Sequence, residues 1–132
     1  MKSLFLIGLF ILLTSFIEKE YVKKYYSNGN MKEEGWIVND KKSDYWFYYF
    51  ETGDKKEEGH YYNNLKINWW IYYDKKKKVI KKCEYKNNVL NGLTIIYKNG
   101  KIVSAEEYTM GKKIKSWDNL SEFKKDNINL FN

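Results

Sequence analysis

Tyr25, Tyr49, Tyr73 and Tyr97 stand 24 residues apart, and the stretch after each repeats the same columns. Residues 25–48 read YYSNGNMKEEGWIVNDKKSDYWFY, and residues 49–72 read YFETGDKKEEGHYYNNLKINWWIY. Residues 73–96 are a worn copy, and residues 97–117 are a fourth with one residue deleted. A period in this range is the mark of an array. One such unit cannot bury its own apolar face, so neighbouring units must stack to do it.

The columns give the unit its internal structure. A first turn column reads Asn28-Gly29, Thr52-Gly53, Lys76-Lys77 and Asn99-Gly100. A small-residue column follows at Gly35, Gly59, Cys83 and, by the same offset, Glu106. Ile37, Tyr61, Tyr85 and Tyr108 come next, then a second turn column at Asn39-Asp40, Asn63-Asn64, Asn87-Asn88 and Met110-Gly111. The last column is Trp46, Trp70, Thr94 and Trp117. Asn-Gly and Asn-Asn pairs tolerate the positive φ of tight hairpin turns. The runs between them are rich in Tyr, Trp, Phe and Ile, which suit a pleated surface, and no Pro interrupts them. The unit therefore predicts one β-hairpin. Four in series predict an all-β, elongated antiparallel meander of stacked hairpins.

Strand alternation assigns faces. Trp46, Tyr48 and Phe50 share one face, and Tyr45, Phe47 and Tyr49 share the other. Trp70 and Tyr72 likewise oppose Trp69, Ile71 and Tyr73. Both faces are aromatic, so the sheet is covered on both sides or curls into a groove. Gly35 and Gly59 leave room for a neighbouring ring to lie flat on the backbone.

The pattern Tyr-x-x-Asn-Gly, then Lys-x-x-Glu-Gly-x-Tyr, then Asn-x-Lys and Trp-x-x-Tyr resembles the bacterial variant of the MORN repeat. Proteins of this kind are often labelled YwqK-type toxin–antitoxin antitoxins. The resemblance spans about Tyr25 to Trp117 and is most specific in the first two copies. It implies stacked hairpins with a binding or scaffolding role. The antitoxin label would further imply a neighbouring reading frame that encodes a toxic protein.

The 132 residues suit one domain, and 19% aromatic content lets a thin sheet be stable without a large aliphatic core. The formal charge of +7 comes entirely from lysines, with no Arg in the chain. Arg is the residue of bidentate phosphate and base-edge recognition, so no specific nucleic-acid partner is expected. The lysines read first as a solvated face and as edge protection. The alternative is an anion-binding surface, with the run Lys75–Lys78 touching acidic lipid or polymer.

Residues 1–17 stand apart. Lys2 precedes the apolar stretch Leu4–Leu13, which is shorter than the roughly 20 residues of a membrane span. The segment reads as a secretory signal peptide with its best cleavage after Ser15. An uncleaved anchor formed by residues 4–17 and a buried first helix are the alternatives. An exported protein of the periplasm, cell envelope or medium is expected. Residues 18–117 form the array. Residues 118–132 change composition, and Asp118 or Asn119 can cap a short helix with Leu120, Phe123 and Ile128 on one side, closing the last edge.

Chemistry-bearing clusters are sparse. The single His60 sits in a strand column, and the single Cys83 fills a glycine position. The carboxylate pairs Glu33-Glu34 and Glu57-Glu58 recur with the structural period and are expected to answer lysines across strands. No catalytic, cofactor or metal site is predicted. The leading expectation is a non-catalytic module that binds a protein partner through Trp46, Tyr48, Trp70, Tyr72, Tyr61 and Tyr85. A peripheral binder of anionic membrane or envelope polymer is the alternative. An enzyme acting on carbohydrate ranks last.

Overall fold

The computed structural model describes residues 16–132. The expected N-terminal signal or anchor falls almost wholly outside these described residues. Among them, no helix is long and apolar enough to cross a membrane. Nine strands follow in chain order: β1 Lys19–Tyr25, β2 Met31–Val38, β3 Lys41–Tyr49, β4 Lys55–Tyr62, β5 Leu65–Tyr73, β6 Val79–Lys86, β7 Val89–Lys98, β8 Lys101–Thr109 and β9 Lys112–Trp117. Each pairs antiparallel with the next, giving one open sheet in sequence order. The four repeats supply β2–β9, and β1 is the second half of a unit whose first half has no strand among the described residues.

The two turn columns differ in kind. Asn39-Asp40, Asn63-Asn64, Asn87-Asn88 and Met110-Gly111 all have positive φ at both residues, the two-residue turn whose twist matches a hairpin. These turns also stitch the sheet. Asn64 gives its N–H to Lys42 O at 2.9 Å and accepts from Lys42 N–H through Oδ1 at 2.7 Å. Asn88 repeats this with Lys66 at 2.9 and 2.7 Å. On the opposite rim, Gly29, Gly53 and Lys77 each close a longer loop in the left-handed region, whereas the deletion reduces the fourth loop to Asn99-Gly100.

A third left-handed column, Asp44, Asn68 and Gly92, lies two residues before Trp46, Trp70 and Thr94. There the pairing shifts by two residues: Trp36 faces Ser43 while Gly35 faces Trp46, and His60 faces Ile67 while Gly59 faces Trp70. A two-residue bulge keeps side-chain parity, so the Trp column stays on the face that alternation assigns. The fourth hairpin breaks this rule. Tyr108 faces Lys113 and Glu107 faces Lys115, a shift of one residue. A one-residue slip turns every later side chain to the other face. Trp117 therefore pairs with Ala105, not with the expected Glu106, and packs with Ile95, Ala105 and Phe123 on the face opposite Trp46.

That flip explains the C-terminal cap. Asn119 Oδ1 accepts the Glu122 N–H at 3.0 Å and starts α1, Leu120–Asp126. Phe123 is fully buried against Trp117, with ring centroids 5.2 Å apart. Asp126 Oδ2 accepts from Trp117 Nε1 at 2.9 Å and pairs with Lys115 Nζ at 2.7 Å. The cap thus covers a sheet face over β8 and β9, not the sheet edge. Ile128, expected on the packed side, instead opens a 3₁₀ turn and is exposed.

Candidate functional site

The first candidate face is built on glycine. Trp46 and Trp70 are 0% exposed because each indole lies flat against the backbone of the facing glycine. A Cβ built on Gly35 would fall 2.5 Å from Cγ and Cε2 of Trp46, and one on Gly59 would fall 2.5 Å from the same atoms of Trp70. No side chain larger than hydrogen fits there. The bulges leave carbonyls to satisfy, and the indoles do it. Trp46 Nε1 donates to Trp36 O at 2.9 Å, and Trp70 Nε1 donates to His60 O at 3.1 Å. Burying one such ring removes roughly 150–250 Å² from water, about 4–6 kcal/mol as an upper bound.

Tyrosines frame the two indoles. Tyr48 lies between them, 6.2 Å from each ring. Tyr61 stands edge-on to both, at 6.1 and 5.0 Å, and Tyr85 lies 6.4 Å from Trp70. The hydroxyls close into pairs, Tyr48 with Tyr61 at 2.9 Å and Tyr72 with Tyr85 at 2.8 Å. Burial, then these hydroxyl contacts, push Tyr48 and Tyr72 far above the ordinary phenol range.

Over each indole sits a lysine that the periodic reading passed over. Lys42 Nζ lies 4.1 Å above the Trp46 ring, donates to Tyr48 Oη at 2.7 Å and reaches Glu33 at 3.4 Å. Lys66 Nζ lies 3.9 Å above Trp70 and 3.6 Å from Glu57. Burial pulls the Lys42 ammonium below the usual lysine range, with Glu33 opposing the shift. The signal was present as a column: Lys42 and Lys66 are followed by Leu90, in the one copy where Trp gives way to Thr94. Ring and cation are lost together, as expected of a cation–π pair worth about 0.5–2 kcal/mol.

The structure thus brings all six sequence-predicted residues onto one face. It places Trp46 and Trp70 beneath it as the packed floor and leaves Tyr48, Tyr61, Tyr72 and Tyr85 half-buried at its surface. The floor position follows from the bare glycine backbone below each indole. What this face offers a ligand is phenol hydroxyls, ring edges and two partly covered ammonium groups.

The opposite face carries a parallel ladder. Tyr49 Oη donates to Glu34 at 2.6 Å, and Tyr73 Oη donates to Glu58 at 2.9 Å. Lys55 Nζ pairs with Glu58 Oε2 at 2.6 Å. Burial first, and then the Glu58 carboxylate, pushes the Tyr73 phenol up to about 12. The paired carboxylates do answer lysines across strands, as Glu33 does Lys24 at 3.1 Å and Glu34 does Lys23 at 3.9 Å. His60 is exposed and meets Tyr45 edge-on at 4.7 Å, while Cys83 is buried at a glycine position opposite Thr94. Among the described residues, no group of three or more His, Cys, Asp and Glu side chains is placed to hold a metal ion. No protein-family model matches this chain, and a comparison with curated proteins finds no match.

Proposed function

We propose that the chain is a non-catalytic binding module that receives a protein partner on the tyrosine-rich face over Trp46 and Trp70. The reading joins the MORN-variant resemblance to the sheet's construction. One observation carries it: the nine strands form a single layer, and the described C-terminal cap packs on the other face, against β8, β9 and Ile95 of β7. Domains ordinarily bury such faces between two layers. Half-buried aromatic rings on a face that no other element covers among the described residues are the composition of an interaction surface. Action outside the cytoplasm is proposed from the apolar stretch Leu4–Leu13.

The test uses surface rings, since the indoles beneath them are structural. Tyr61→Ser with Tyr85→Ser is compared with Tyr21→Ser and Trp36→Ser, which alter the opposite face. Each tagged variant is recovered from cross-linked cell-envelope fractions after its melting temperature is checked. Loss of the cross-linked partner in the first variant alone supports the reading. Equal recovery in both, or no cross-linked partner of the unaltered chain, overturns it.

A second reading, contact with anionic membrane or envelope polymer, draws on the Lys75–Lys78 turn. All four lysines are exposed, and the Asp74 carboxylate is engaged by the Lys76 and Lys78 N–H groups at 2.8 and 3.0 Å. Lys77 alone of the four has an ion-pair partner among the described residues, Asp54 at 3.1 Å. Flotation with anionic vesicles at low and high salt decides it, because screening must weaken such binding. Binding that salt does not change removes this reading.

A further inference from the structure

The column Glu34, Glu58 and Lys82 recurs every 24 residues, as does its partner column Tyr49, Tyr73 and Tyr97. In the first two units a phenol donates to a carboxylate. In the third, the acceptor has become a donor. Lys82 Nζ stands 5.6 Å from the Tyr97 ring centroid, and neither Lys82 Nζ nor Tyr97 Oη has a hydrogen-bond or ion-pair partner among the described residues. Two half-buried donors thus share one neighbourhood with no acceptor among the described residues.

They stand where two cavities meet. One, of about 300 Å³, lies between the sheet and the C-terminal cap, walled by Trp69, Ile71, Ile95, Ile102, Phe123 and Phe131. The other, of about 310 Å³, opens at the rim beside Lys78, Val79 and Gly100. Lys82 and Tyr97 line both. The first cavity is lined by aliphatic and aromatic side chains apart from Lys82, with Tyr97 bringing a phenol, and the second adds the Lys78 ammonium. The cap also leaves Leu130 and Phe131 partly exposed beside the apolar cavity, at 55% and 38%.

We propose that this cleft binds a free single-chain carboxylate, a medium-length fatty acid. The tail lies between the cap and Ile71 and Ile95. The head accepts from Lys82 Nζ and Tyr97 Oη, supplying the oxygens that Glu34 and Glu58 provide in the earlier units. The apolar volume lies at the small end of the roughly 300–1,000 Å³ range of ligand pockets, which favours a short acyl chain over a two-tailed lipid. This site lies across the sheet from the tyrosine-rich face and does not depend on the function proposed for it.

The full chain is titrated with sodium decanoate below its micellar concentration and followed by amide and indole NMR. Decyltrimethylammonium supplies the same tail with the opposite head, and inorganic phosphate an anion with no tail. Saturable one-to-one binding of decanoate is expected, with shifts confined to Trp69, Lys82, Ile95, Tyr97 and Phe123. Lys82→Glu restores the residue type of the earlier units and is expected to weaken binding at least tenfold. Lys82→Gln serves in its place if that variant does not fold. Tyr97→Phe should weaken binding several-fold. Equal binding of decyltrimethylammonium, undiminished binding by the Lys82 variant, or binding of anionic vesicles but not monomeric decanoate would overturn the proposal.

Discussion

Gly59→Ala tests the packing on which the tyrosine-rich face rests. The new Cβ would sit 2.5 Å from Cγ and Cε2 of Trp70, against about 3.5–4.0 Å for favourable carbon contacts. The indole must retreat by about 1 Å. It cannot do so freely, because its Nε1 holds His60 O at 3.1 Å and Lys66 Nζ lies 3.9 Å from its ring. Overpacking costs about 1–3 kcal/mol, and a weakened hydrogen bond adds about 0.5–1.5. Reduced entropy of the unfolded chain returns about 0.4–1 kcal/mol. The net expectation is a loss of about 2 kcal/mol, seen as a fall in melting temperature of roughly 8 °C. The informative measurement is a double-mutant cycle with Trp70→Thr, the solution that the third unit adopts with Cys83 and Thr94. Urea unfolding is followed by far-UV circular dichroism, in sucrose throughout so that all four proteins stay folded. Without the ring, Gly59→Ala should be neutral or stabilising, so the coupling is about 2 kcal/mol. Additivity within about 0.5 kcal/mol would show that the glycine serves something other than the indole, and the account of this face would fail.

Three further outcomes follow from the same geometry. Lys77 holds φ 64 in the column of Gly29 and Gly53, so Lys77→Gly should raise stability by about 1 kcal/mol in urea melts; a loss would refute the strain. Phe123→Ala should cost about 3–5 kcal/mol and raise hydrogen exchange in β7–β9 while sparing β2–β4; uniform loss would refute a local cap. Tyr48, Tyr49, Tyr72 and Tyr73 have raised folded-state pKa values, so the folded chain binds more protons than the unfolded chain above about pH 10. Their stabilisation is complete below that pH and is lost progressively as pH rises above it, Tyr73 giving up its proton at about 12 and the other three higher still. Residue-resolved tyrosine NMR should therefore show these four phenols holding their protons above pH 10 while the chain stays folded, and their titration near pH 10 without unfolding would contradict the burial.

The hairpin period was legible because each unit repeats the same turn chemistry, and Asn-Asn or Asn-Gly leaves the backbone little choice. Gly35 and Gly59 announced the flat indoles for the same reason. The bulge column Asp44, Asn68 and Gly92 was equally periodic, yet its three residue types differ, and only their shared left-handed conformation unites them. Trp117 was misplaced because sequence alignment counts residues, while the side-chain face depends on whether a bulge holds one or two of them. Lys42 and Lys66 were hidden among abundant lysines. In the sequence their column is marked only by its lapse at Leu90, in the copy with Thr94; their place over a ring is a property of the folded sheet.

The two-residue bulge has a consequence for how such a gene can change. A duplicated or deleted block of 24 codons within residues 25–96 returns the chain to the same edge, facing the same way. Each added block in the first two units would extend the tyrosine-rich surface by one tread and leave the closing helix in place, because that helix packs on the final hairpin and the strand before it. Reach along that surface is then set by copy number, and an insertion of any odd length within a strand would invert everything downstream.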